Sequence, residues 1–129
     1  LINKHYAQTK ENIVYIYFDG EFNYDDAKAL LDFIEQSFGK ERYYAICDIV
    51  KQGTQTPEAR KLLASWTKDK QLCAAAMIGG SPMAKAMTLL IGNAIRLFSR
   101  KFIAINFATD LRHAQEWIDE QRRRDGAKR

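Results

Sequence analysis

Residues Ser81 to Ser99 read S-P-M-A-K-A-M-T-L-L-I-G-N-A-I-R-L-F-S and directly follow Gly79-Gly80. Wound at the helical angle per residue, Ala86, Leu97, Leu90, Met83, Ala94, Met87, Phe98, Ile91, Ala84 and Ile95 sweep about half of the circumference without a polar break. A surface helix needs an apolar stripe only about 100° wide. Leaving three of the large side chains wet would forgo about 5–9 kcal/mol, which is comparable to the stability of a whole domain. A chain carrying such a helix must therefore cover it on more than one side. The cover can come from its own loops, a second copy, a small apolar ligand or a membrane surface. A membrane span is excluded, because the run is short and contains Lys85 and Arg96. The polar arc has few charges, which argues against attachment at a membrane interface.

The rest of the chain alternates strand and helix signals. His5 to Thr9 is expected as a short edge strand, Lys10-Glu11-Asn12 as a turn and Ile13 to Phe18 as a strand ended by Asp19-Gly20. Asn23 caps a helix whose stripe is Ala27, Leu30, Leu31, Ile34 and Phe38, stopped by Gly39. Tyr43 to Ile49 is the next strand. A polar loop to Thr56 is expected after it, and Thr56-Pro57 is a cap-plus-proline helix start. The stripe of that helix is Ala59, Leu62, Leu63 and Trp66. Leu72 to Ile78 is a continuous apolar run, which suits a strand covered on both faces. Ser81-Pro82 repeats the cap and proline. Lys101 to Phe107 is the last strand, and Asp110 caps a last helix with Leu111, Ala114, Trp117 and Ile118 inward.

This order predicts one α/β domain over residues 1–129, with a mixed, mostly parallel sheet of four or five strands and about four helices. Sheets of this kind place functional loops at the carboxyl ends of their strands. Those loops would be Asp19 to Asn23, Asp48 to Thr56, Gly79 to Ser81 and Ala108 to Asp110.

Composition narrows the function classes. An apolar content of 47% with 28% charged residues points to a globular, water-soluble chain. The net charge of +4 lies wholly in the tail R-R-R-D-G-A-K-R, because acids and bases balance over residues 1–121. A nucleic-acid binder carries its basic face on the folded body, so nucleic acid is not the expected partner. The tail at 122–129 reads instead as a solvated, frayed helix end whose positive charge suits the helix dipole. Cys47 and Cys73 sit in strand-like runs and read as reduced thiols, not as a disulfide or metal pair. L-I-N-K-H-Y has no apolar signal core, so a cytoplasmic location is expected. The first residue is not Met, so residues upstream of it are expected.

No catalytic set emerges from the loops. Asp48 stands where a response-regulator receiver holds its phospho-acceptor, but the acidic pair after the first strand and the Lys after the last are missing. Asp48 is expected to pin its own loop through backbone N–H groups. G-x-S-x-G, the P-loop and G-x-G-x-x-G are all absent. His5 and His113 lack Cys or carboxylate neighbours at ligand spacing, so no metal site and no cofactor is expected. Gly79, Gly80 and Ser81 can form an anion-binding turn at a helix start or simply a tight, Ser-capped turn. Thr54 and Thr56 are candidate phospho-acceptors, with capping as the plainer role.

F-D-G-E-F at the first strand end, Y-Y-A-I-C-D-I, A-A-A-M-I-G-G, and K-F-I-A-I-N-F followed by A-Q-E-W-I resemble the SpoIIAA-like (STAS-type) bacterial proteins over nearly the whole chain. The resemblance implies a small α/β fold with an antiparallel edge strand at its N-terminus, related to that of the CRAL-TRIO lipid carriers. Anti-sigma-factor antagonists of this type carry D-S-S-G after the middle strand, with a serine that a kinase phosphorylates. This chain has Thr54-Gln55-Thr56-Pro57 there, so no serine is carried over. Stand-alone relatives look like binding modules without known catalysis. The expected function is thus a non-catalytic binding module acting through Met83, Met87, Leu90, Ile91, Ala94, Leu97 and Phe98, as a homodimer. The alternatives are a carrier or sensor of a small apolar or lipid-like ligand beneath that helix, and a phospho-regulated switch for a regulatory protein partner.

Overall fold

The computed structural model describes residues 5–67, 71–99 and 103–127; the side chains of residues 66, 67, 94, 95, 97–99 and 127 are not described. Nine elements run β1 (Tyr6–Lys10), β2 (Ile13–Phe22), α1 (Tyr24–Phe38), β3 (Tyr43–Gln55), α2 (Pro57–Thr67), β4 (Leu72–Ile78), α3 (Pro82–Ser99), β5 (Ala104–Ala108) and α4 (Leu111–Ala127). The sheet order is β1-β2-β3-β4-β5. β1 is antiparallel to β2, and the pairs β2–β3, β3–β4 and β4–β5 are parallel. This is the mixed α/β sheet expected from the sequence, with its antiparallel N-terminal edge.

Neighbouring parallel strands joined by crossovers of one hand send every crossover helix to the same face. Accordingly α1, α2 and α3 share a core with Val14, Ile16, Phe18, Ala45, Cys47, Ala75 and Met77. Helix α4 alone packs on the opposite face, over Ile13, Tyr44, Ile46, Ala74, Ala76 and Ile78. The alternation of side chains along β2, β3 and β4 supplies both faces at once. That is why the Leu72–Ile78 run is apolar throughout.

The helix starts follow their caps. Asn23 Oδ1 accepts from Asp26 N–H at 2.9 Å and Asp26 Oδ2 accepts from Asn23 N–H at 3.1 Å, a reciprocal capping box. Thr56 Oγ1, Ser81 Oγ and Asp110 Oδ1 accept from Ala59, Ala84 and His113 N–H. In α4, Ala114 and Ile118 are fully buried and Trp117 is partly buried, whereas Leu111 is exposed, contrary to its expected inward position. Leu111 opens the first turn and lines an open surface groove with Gln8, Thr9, Lys10 and Tyr15.

Two expected loops are strands instead. β2 continues to Phe22 and β3 to Gln55, paired through Asp19↔Lys51, Gly20↔Gln52 and Phe22↔Gln55. Between Tyr17↔Asp48 and Asp19↔Lys51, and again between Gly20↔Gln52 and Phe22↔Gln55, β3 spends three residues against two on β2. Each mismatch is a β-bulge, and a bulge turns the following side chain to the other face. Polar residues and Gly53 made the stretch look like a loop. The backbone needs that glycine: a Cβ on Gly53 would lie 2.9 Å from the Gly20 carbonyl carbon.

The tail is helical through Ala127 and is paired along its length. Arg122 reaches Glu11 at 3.2 Å and Asp119 at 3.4 Å, Arg123 and Arg124 pair with Glu120, and Asp125 accepts from the Tyr44 hydroxyl. Residues 128 and 129 of the expected frayed tail lie outside the described residues.

The second bulge gives a direct test of the ribbon. Gly53→Ala should destabilise the fold by about 1–3 kcal/mol, because the new methyl meets main chain that cannot rotate away. Thr54→Ala, at the exposed next position, should stay within about 0.5 kcal/mol. Urea unfolding midpoints of the two variants check the difference.

Candidate functional site

Helix α3 turns its small face inward. Ala84 and Thr88 are buried, Met87, Ile91 and Gly92 are partly buried, and a Cβ on Gly92 would lie 2.9 Å from Ile105 Cδ1. Three large side chains point the other way: Met83 is 64% exposed, Leu89 49% and Leu90 54%. The sheet beneath is equally lean, with Ala45 and Ala75 on its floor. Small residues facing small residues leave an apolar pocket of about 140 Å³. Ile16, Phe18, Cys47 and Met77 complete its floor, and Leu30, Leu31, Ile34 and Leu63 wall it from α1 and α2.

Two carboxamides interrupt this largely apolar lining, beside the Thr88 and Tyr43 hydroxyls. Gln52 and Gln55 both line the pocket, and the Oε1 atom of each is buried without a hydrogen-bond partner. Gln55 is 5% exposed. Three residues apart on a regular strand, they would face opposite sides. The second bulge pairs them with Gly20 and Phe22, two residues apart on β2, and so puts both on the pocket face. Two other nearby polar groups are already engaged. Thr88 Oγ1 donates to Ala84 O at 3.1 Å, and Arg60 Nη1 donates to Gln55 O at 2.7 Å while lying 3.7 Å from Met87 Sδ.

Burial governs the titratable groups here. It pushes the Cys47 thiol up to about 12, with the nearby Asp48 charge adding to the shift, so Cys47 stays protonated and a poor nucleophile at neutral pH. Burial also pushes the Tyr43 phenol well above its ordinary value. The site therefore offers shape, dispersion and two unsatisfied acceptors.

The residues singled out from the sequence are dispersed. Of the helix set, Ile91 lines the pocket, Met87 is partly buried beside Arg60, and Met83 and Leu90 face outward. The side chains of Ala94, Leu97 and Phe98, like that of Trp66, lie outside the described residues. Gly79 and Gly80 hold positive φ of 69° and 101°, and Gly79 N–H is bonded to Ala108 O at 3.2 Å. A Cβ at either glycine would strike Val50 or Ile49 at 2.5 or 2.6 Å, so the turn needs both. Ser81 caps α3. Thr54 is exposed on the ribbon, and Thr56 caps α2. Asp48 Oδ1 accepts from Val50 N–H at 3.1 Å at the first bulge, pinning its own backbone from within a strand.

Both histidines have carboxylate neighbours that their spacing did not suggest. His5 is buried, 3.6 Å from Asp26; its Nδ1 accepts from Asp19 N–H and its Nε2 bonds Glu21 O. His113 is exposed, 2.7 Å from Asp110. Among the described residues no group of three or more His, Cys, Asp and Glu is placed to hold a metal ion. No helix among them is long and apolar enough to cross a membrane. Cys47 and Cys73 are free thiols, and Cys73 Sγ accepts from Arg42 Nε at 3.3 Å.

Sequence reasoning missed Gln52 and Gln55. The only trace they leave is a pair of long neutral side chains flanking Gly53-Thr54, which reads as loop until the bulge is known.

Comparison with known proteins places the architecture. The family model described as "Domain of unknown function (DUF7793)" matches residues 7–122. No curated protein matches the chain. Among solved structures it is similar to an uncharacterized protein from the DUF3478 family with a SpoIIAA-like fold, from Shewanella loihica PV-4. The two share 14% identity, with a TM-score of 0.65 over 91% of this chain and 95% of the other. At that identity the likeness establishes the fold, and the SpoIIAA-like resemblance read from the sequence holds at that level.

Cysteine reactivity tests the enclosure of the site. Cys73 should react with a thiol-alkylating reagent at least tenfold faster than Cys47, because Cys47 is buried with its thiol pushed up and Cys73 is only partly buried. Mass spectrometry of the singly labelled protein reads the order of modification.

Proposed function

The chain belongs to the family described as domain of unknown function DUF7793, and for this member we propose a non-catalytic binding module that takes one small apolar molecule into the pocket beneath α3. The observation that carries this reading is the pocket itself, about 140 Å³ of apolar space between α1, α2, α3 and the sheet. An engineered apolar cavity of about 150 Å³ stays dry and accepts benzene, so the size fits a ligand of roughly six to ten heavy atoms. A ligand that fills it supplies dispersion contacts that the apolar lining otherwise lacks. The chemistry of the lining supports binding over turnover: neutral carboxamides, an engaged hydroxyl and a protonated thiol.

Toluene is a suitable first probe. At a hundred times its dissociation constant it should stabilise the fold by about 2.7 kcal/mol and raise the melting temperature accordingly. Ala75→Val, which adds two methyl groups to the floor, should weaken binding several-fold while the unliganded protein still folds. The absence of any toluene-dependent shift at saturating concentration would overturn the reading.

A second reading rests on the outer arc of the same helix. Met83, Leu89 and Leu90 are large, apolar and about half exposed or more. A second copy of the chain presents the same surface and can cover it in a two-fold contact. This homodimer should appear in sedimentation at high micromolar concentration and dissociate in Leu90→Glu. A monomer at those concentrations would exclude it.

A further inference from the structure

Two buried acceptors in a largely apolar pocket are a costly arrangement. An unpaired buried carboxamide oxygen loses its water without gaining a partner. Gln52 and Gln55 both do so, and both line the pocket because the bulge at Gly53 puts them on one face. A plain ribbon without the extra residue would place Thr54 opposite Phe22 instead.

Resting on the apolar-ligand reading above, we infer that the pocket selects a ligand with an uncharged hydrogen-bond donor at one end, whose single proton is accepted by the Oε1 atom of Gln55 or Gln52. The class is a compact aromatic or branched aliphatic alcohol or phenol, whose apolar body lies over Ala75 and Met77 and under Ile91. The charge balance of the site sets this class. None of the described residues lining the pocket is ionic. The nearby cation, Arg60, is committed to Gln55 O and Met87, so it offers no counter-charge for a carboxylate or phosphate end. Thr88 donates to its own helix and does not satisfy the two oxygens. The hydroxyl of the ligand therefore supplies one of the two donors that the fold withholds.

Toluene and phenol have the same shape and differ in the one donor, so they separate the two ideas. Their dissociation constants are to be measured on the whole chain by ligand-observed nuclear magnetic resonance or thermal shift. Phenol should bind the native protein about tenfold more tightly than toluene, the usual scale for satisfying a buried acceptor. Gln55→Met keeps the length and removes the oxygen, so it should reduce or abolish that preference. It should also leave the melting temperature of the unliganded protein unchanged or higher, because an orphaned polar atom is lost. Should Gln55→Met fail to fold, Gln52→Met is read in its place and should reduce the preference in the same direction. Binding of neither probe overturns the pocket reading itself. Binding of both with no preference for phenol, or a preference undiminished by either substitution, leaves the pocket standing and overturns the donor requirement.

Discussion

The pairing of β2 with β3 is the constraint on which everything else depends. β2 is bound on both edges, antiparallel to β1 and parallel to β3, and β3 carries the next strand outward. Parallel crossovers of one hand then force α1, α2 and α3 onto one face and leave α4 to close the other. The same pair runs on past the other strands as a two-stranded ribbon with two bulges. Gly20 and Gly53 let its backbones approach, and Phe22, 1% exposed, anchors its end in the core. Register here fixes more than pairing, because it sets which side chains of a polar stretch are turned inward.

The pocket follows from a mismatch of volumes across that face. Helices α1 and α2 meet the sheet with Leu30, Leu31, Ile34 and Leu63, which form one wall of the pocket. Helix α3 meets it with Ala84, Thr88 and Gly92 over a floor containing Ala45 and Ala75, and turns Met83, Leu89 and Leu90 to the outside. A helix with large residues inward and small ones outward would have closed the layer. The observed arrangement leaves a lean interior and a greasy exterior on one element. That division is why one helix generates both proposed readings of function.

Much of this was legible beforehand for identifiable reasons. The caps at Asn23, Thr56, Ser81 and Asp110 are local, set by a side chain and the N–H groups two or three residues on, so they could be read from the sequence. The two-sided burial of Leu72–Ile78 was legible because a strand covered on both faces has no polar alternation to keep. The ribbon was not. Lys51-Gln52-Gly53-Thr54 has the composition of a turn, and only the partner strand decides that it is paired. The carboxylates near His5 and His113 were missed for different reasons. Asp26 reaches His5 from a distant turn, while Asp110 sits one helical turn before His113 as its cap.

The sequence by itself determined the order of elements, the fold class, the helix boundaries and the apolar surplus of the helix at Ser81, because each depends on short-range periodicity and capping. Tertiary structure alone decided how that surplus is divided. Whether an apolar residue on a half-circumference arc meets a sheet, a void or water depends on the height of the floor beneath it. That height is set by Ala75 on the preceding strand and by Ala45, far away in the chain, on the strand paired with it. The same holds for Gln52 and Gln55, whose inward direction comes from one extra residue counted against β2, a quantity no single strand contains.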